Sequence, residues 1–169
     1  FRRVLFRSYD ALFEAGADVG LRDAGYYTID ALRIEAGRRA FAAELGPDET
    51  PIEAGLMAAV RLNKPAFIGR DALLKQQEAG VRKRLVTLSV DDPEAFPWGG
   101  EPILRDGKGV GEVTSSGYSA KYGRAIVMGY VRADQAIDRD YVLGGRYELD
   151  IAGDRFTARP LERPAYPYR

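Results

Sequence analysis

Leu85-Val86-Thr87-Leu88-Ser89-Val90, closed by Asp91-Asp92-Pro93, is the stretch on which the fold turns. A short apolar, β-branched run ended by a turn cluster reads as a strand. Downstream the form repeats, in Pro102–Arg105, Val110–Thr114, Ala125–Val131, Arg146–Ile151 and Arg155–Arg159. Asp106-Gly107 and Gly153-Asp154 supply residues that tolerate positive φ and are expected as hairpin turns. Roughly six short strands joined in this way predict a small antiparallel barrel or sandwich, not a parallel sheet.

Upstream of Gly80 the grammar is helical. Tyr9–Ala15 reads as a short helix stopped by Gly16. A longer helix is expected from Ala24 to Leu45, on Ile29, Leu32, Ala36 and Ala40, with Gly46-Pro47 as its stop. A third runs from Gly69 or Arg70 to Ala79 and ends at Gly80. The expected fold class is therefore α+β, with a helical segment over residues 9–83 and a β-barrel over 84–169. Phe1–Ser8 fits none of this periodicity and is read as a truncated or non-native leader. Pro160–Arg169 is expected as an extended tail on the surface.

Composition narrows the chemistry. The 169 residues hold no cysteine and no histidine, which excludes a Ser-His-Asp triad, a Cys-His pair, thiolate zinc sites and imidazole ligands. Lysine plus arginine equals aspartate plus glutamate at 25 each, so no global field draws nucleic acid or anionic lipid. No apolar run reaches the roughly 18 residues of a membrane span, and a cytoplasmic protein is expected.

Individual motifs each have a plain and a functional reading. Gly107-Lys108-Gly109-Val110-Gly111 looks like a phosphate loop but lacks the spacing and the following helix, so a hairpin turn is expected. Arg82-Lys83-Arg84 reads as a solvated hinge and Asp91-Asp92 with Glu94 as a solvated turn, without a calcium loop's alternating ligands. Glu35, in Leu32-Arg33-Ile34-Glu35-Ala36-Gly37, is a carboxylate among apolar neighbours. It either pairs within the helix with Arg38 or Arg39, for about 0.2–0.5 kcal/mol, or sits half buried and needs donors from a ligand.

Three segments in order, Ala31–Gly37, Thr50–Leu56 and Phe67–Leu73, resemble the folate-binding aminomethyltransferase family typified by the glycine-cleavage T-protein. Gly99–Ile103 and Gly111-Glu112-Val113-Thr114-Ser115-Ser116-Gly117-Tyr118-Ser119 continue the likeness through the barrel half. Asn63–Arg70, Arg84–Val86 and Pro97–Gly99 are closer to the C-terminal part of dimethylglycine and sarcosine dehydrogenases.

The resemblance implies a C-terminal portion of a longer flavoprotein. An upstream FAD half would oxidise an N-methyl amine, and this part would bind tetrahydrofolate and capture the iminium or formaldehyde product as methylenetetrahydrofolate. It would pack on the upstream domains of the same chain, and no glycine-rich flavin fingerprint occurs here. Glu35 takes the place of the family's pterin-binding carboxylate. Lys64 stands where relatives carry a basic residue, meeting the glutamate tail or only a turn, and Tyr27 would stack on the pterin or pack in the core. The family's catalytic aspartate would lie upstream. Phe41-Ala42 replaces a Tyr-Gly or Trp-Gly, and Ser116 replaces a usual glycine. The alternatives are a stand-alone aminomethyltransferase acting on an aminomethyl-lipoyl carrier, and a non-catalytic assembly module whose folate site has decayed.

Overall fold

The computed structural model describes residues 2–166. Phe1 and Pro167–Arg169, parts of the expected leader and tail, lie outside the described residues. Four α-helices and six strands follow one another as α1 (Arg2–Gly16), α2 (Tyr26–Glu35), α3 (Arg70–Ala79), β1 (Lys83–Val90), β2 (Pro102–Arg105), β3 (Lys108–Ser119), β4 (Arg124–Arg132), α4 (Arg139–Gly144), β5 (Tyr147–Ile151) and β6 (Asp154–Pro160). The strands close into an antiparallel barrel in the order β1-β4-β3-β2-β5-β6. The fold is α+β, as the alternating runs implied. Among the described residues no helix is long and apolar enough to cross a membrane.

Alternation along the strands becomes inside and outside of the barrel. Val86, Leu88 and Val90 point inward with Ile103, Val113, Val127, Val131, Tyr147 and Leu149, all buried. β4 is apolar without alternation because both its faces are covered. Val127 and Val131 fill the barrel, while Ile126 and Met128 pack outside against Ile34 of α2. The hairpin at Asp106-Gly107 forms as expected, with φ of 53° and 79°. The second hairpin turns one residue earlier than expected, on Ala152-Gly153 at 54° and 95°, because Asp154 already pairs with Ile151.

Several expectations are corrected. The helix expected over Ala24–Leu45 stops at Glu35, since Gly37 at φ 68° ends it with Gly37 N–H donating to Ile34 O (2.9 Å) and Arg38 N–H to Arg33 O (2.8 Å). Gly46-Pro47 was the wrong stop. α1 runs unbroken from Arg2, across the boundary expected at Ser8. Lys83 and Arg84 belong to β1 instead of a solvated hinge: Lys83 meets Glu49 at 2.6 Å and Arg84 donates to Ile137 O. The tail is not merely laid on the surface. Ala165 is buried, Leu161 N–H bonds Thr87 O, and a Cβ on Gly37 would stand 2.6 Å from Pro164.

Candidate functional site

Glu35 is the last residue of α2 and is 3% exposed. Its Oε1 accepts from the Ser119 hydroxyl at 2.5 Å and from the Lys121 amide at 3.4 Å. Among the described residues Oε2 accepts no hydrogen bond. The Glu35 carbonyl takes the Tyr166 amide at 3.2 Å, and Lys121 Nζ donates to Ala165 O. The carboxylate therefore sits where α2, the β3–β4 turn and the C-terminal segment meet. The intrahelical pairing with Arg39 does not occur, because Arg39 turns to the carbonyls of Ala54 and Gly37.

The nine residues from Gly111 to Ser119 are the surface on which this arrangement is built. At Val113/Ser115 the register with β4 shifts, so Thr114 is the extra residue of a β-bulge. Its Oγ1 lies 2.8 Å from Glu44 Oε1 and 3.1 Å from Met128 O. Ser115 Oγ accepts from Arg33 Nη2 at 2.7 Å. Gly117 lets α2 come down on β3, since a Cβ there would lie 2.9 Å from Ala31 Cα. Ser119 then reaches Glu35.

Sequence reasoning missed Glu44. It is 1% exposed and accepts from Arg33 Nη1 (2.9 Å), the Ala40 amide (2.9 Å) and Thr114, while its own carbonyl accepts from Tyr130 Oη at 2.9 Å. Burial pushes the Tyr130 hydroxyl up to about 12, so it stays a donor across the physiological range. Arg33 also meets Asp30 at 2.5 Å. Its only sequence signal is a carboxylate within Ala42-Ala43-Glu44-Leu45, which carries no period.

The other two candidates stand apart from Glu35. Tyr27 is 79% exposed and stands edge-on to Tyr26, at 6.4 Å between centroids, so it is not packed in the core. Lys64 is exposed and borders a shallow hollow with Arg61 and Phe67, its amide bonded to Arg61 O as in a turn. The hollow beside Lys64 includes neither Glu35 nor Tyr27.

Both departures from the family pattern leave a mark. Ala42 adopts φ 71°, the left-handed region that costs a side chain about 1–2 kcal/mol, and Ser116 Oγ is buried with no hydrogen-bond partner among the described residues. Ala42→Gly should stabilise the protein by about 1 kcal/mol, the strain relieved less the entropy glycine gains when unfolded. A melting temperature about 2–4 °C higher would register this. A lower one would contradict the backbone placed at residue 42.

The described barrel matches the model of the glycine cleavage T-protein C-terminal barrel domain over residues 83–167, and residues 4–64 match that of the GCVT N-terminal domain. The chain belongs to the glycine-cleavage T-protein family. Among its T-protein-family relatives, the mitochondrial regulatory subunit of pyruvate dehydrogenase phosphatase from Mus musculus is 41% identical over 163 residues, covering 89% of this chain and 19% of that protein. Mitochondrial sarcosine dehydrogenase from the same organism is 39% identical, over 89% of this chain and 17% of the relative. The crystal structure of glycine cleavage system aminomethyltransferase T from Bartonella henselae superposes with a TM-score of 0.70 at 26% identity, over 82% of this chain and 38% of that one. This T-protein-family chain thus spans about a fifth of the length of these two curated relatives. Its relatives include enzymes.

The glycine-rich hairpin at Gly107 does not fit a flavin: it leads into a strand, with no helix N-terminus to face a pyrophosphate. Tetrahydrofolate fits better. A pterin offers an amino group and a ring N–H side by side, and Glu35 keeps Oε2 for one of these donors, while the other would share Oε1 with Ser119 and Lys121.

Proposed function

We propose that this chain is the tetrahydrofolate-binding portion of a larger enzyme related to dimethylglycine and sarcosine dehydrogenases. An FAD-containing part upstream oxidises an N-methyl amine, and this portion captures the released one-carbon unit as methylenetetrahydrofolate. The observation that carries the reading is the Glu35 carboxylate, buried at a junction of three segments and held from one oxygen only. Proximity does the work: a reactive carbon released beside a bound amine reacts before it escapes to water. Tyr26, Ile29 and Leu32 leave the outer side of α2 apolar and exposed, which suits packing on preceding domains of the same chain.

Equilibrium dialysis of the complete gene product against tetrahydrofolate tests this. Glu35→Gln loses the charge-assisted pair, worth about 1.5–3 kcal/mol, and should raise Kd about ten- to a hundredfold. Unchanged affinity in a variant with wild-type melting temperature would remove the pterin role.

A second reading, a non-catalytic assembly module, is favoured by two observations. Glu35 is already engaged by Ser119, and a regulatory subunit stands among the relatives. Wild-type protein that binds no tetrahydrofolate would put this reading first.

A further inference from the structure

A cleft of about 330 Å³ opens between β1, α4 and the C-terminal segment. Four arginines border it against a single glutamate, in a chain whose total charge is zero. Arg139 and Glu162 satisfy each other at 2.6 Å. Arg39, Arg84 and Arg163 remain.

These three differ from the ion-paired arginines of the molecule. Arg33, Arg70, Arg105, Arg124, Arg139, Arg155 and Arg159 each form an ion pair with a carboxylate. Among the described residues Arg39, Arg84 and Arg163 form none. Arg39 donates from Nε to Ala54 O (2.9 Å) and from Nη1 to Gly37 O (2.5 Å), and Arg84 donates from Nη1 to Ile137 O (3.1 Å). All these acceptors are neutral carbonyls. They fix the planes of two guanidinium forks and, among the described residues, leave Nη2 of Arg39, and Nε and Nη2 of Arg84, without an acceptor. None of those atoms is sealed from solvent.

Gly55 forms part of the wall beneath Arg39, for a Cβ there would stand 2.9 Å from Nη2, and its φ of 68° bars most side chains in any case. Burial pushes the Arg39 guanidinium below its ordinary value without discharging it. Two half-buried guanidinium groups with an exposed third on the same cleft are matched by an anion that spans them. Planar forks with spare parallel donors match the oxygens of phosphate or carboxylate groups. Leu143 and Leu161 close one side, and the volume exceeds that of a single phosphate.

We propose that this cleft binds a multivalent oxyanion, bearing phosphate or carboxylate groups, through Arg39, Arg84 and Arg163. The site is separate from Glu35, which does not line it, and does not depend on folate binding.

Isothermal titration of the full chain at low ionic strength, with inorganic pyrophosphate and with citrate in separate runs, tests the proposal. Saturable one-to-one binding of either is expected. Pyrophosphate alone assigns phosphate as the ligand group, citrate alone assigns carboxylate, and both support the shared chemistry. Arg84→Gln should weaken binding about tenfold or more, as loss of a charge-assisted bond does. Arg163→Gln, an exposed change with no hydrogen bond to break, should do the same even if the Arg84 variant folds poorly. Lys108→Gln, on the separate basic groove beside Arg132, should leave affinity unchanged. No saturable heat from either anion, or equal weakening by Lys108→Gln, overturns the site.

Discussion

Gly111→Ala should prevent the barrel from closing. A Cβ at residue 111 would stand 1.8 Å from Tyr130 O and 2.9 Å from its carbonyl carbon. That oxygen belongs to the ladder between β3 and β4, where Gly111 faces Val131, so no rotamer change relieves the clash and the strands must part. Gly129, paired with Val113 on the same ladder, is also tight, with Glu112 O at 2.4 Å from its would-be Cβ. Overpacking of side chains costs about 1–3 kcal/mol. A collision with backbone belongs to the exceptional class above about 4 kcal/mol, a large share of the 5–15 kcal/mol that holds a domain together. Circular dichroism and thermal melting check it, with Gly109→Ala as control, since nothing lies within 4 Å of that added methyl. The control should change stability by less than about 0.5 kcal/mol. A Gly111→Ala protein that melts with the wild type would refute the strand approach described.

The second large effect is expected at Glu44. Glu44→Ala removes the acceptor of Arg33 Nη1, of the Ala40 amide and of Thr114 at once. Arg33 is left with a side chain only 16% exposed and one carboxylate, Asp30, in place of two. Breaking a buried pair from one side costs about 3–5 kcal/mol. Urea unfolding should show this loss. Arg33→Leu combined with Glu44→Leu should cost less than the two single changes summed, because the double variant buries no orphan charge. Strict additivity, or a loss below about 1 kcal/mol for Glu44→Ala, would contradict the network.

How far the sequence led is clearest strand by strand. Leu85–Val90 was legible because burial inside a barrel imposes a period of two on a few consecutive residues. α3 was legible because its stop, Gly80, lies directly beyond its last turn. α2 ends ten residues before the expected stop and begins two residues after the expected start. Ala36 and Ala40 continue the helical spacing past Gly37, and nothing local shows that Pro164, far along the chain, presses on Gly37 and Ser119 on Glu35. Ile29 and Leu32 formed the expected apolar stripe, yet both are exposed in this chain.

For the candidate site the division is similar. Glu35 was recognisable from the Ala31–Gly37 segment and its likeness to a known family, and Ala42 and Ser116 were visible as departures before their φ value and orphan hydroxyl were known. The sequence alone determined the six strands, the α+β class and a carboxylate in an apolar helix turn. These rest on patterns of residues within about four positions of one another, which local backbone geometry converts directly into faces. The tertiary structure alone decided that Ser119 meets Glu35 across 84 positions, that Arg33 and Glu44 bury together on Thr114, and that Arg39, Arg84 and Arg163 share one cleft. Such meetings follow from the closure of the barrel and the docking of α2 on it, where the spacing between partners along the chain carries no period to read.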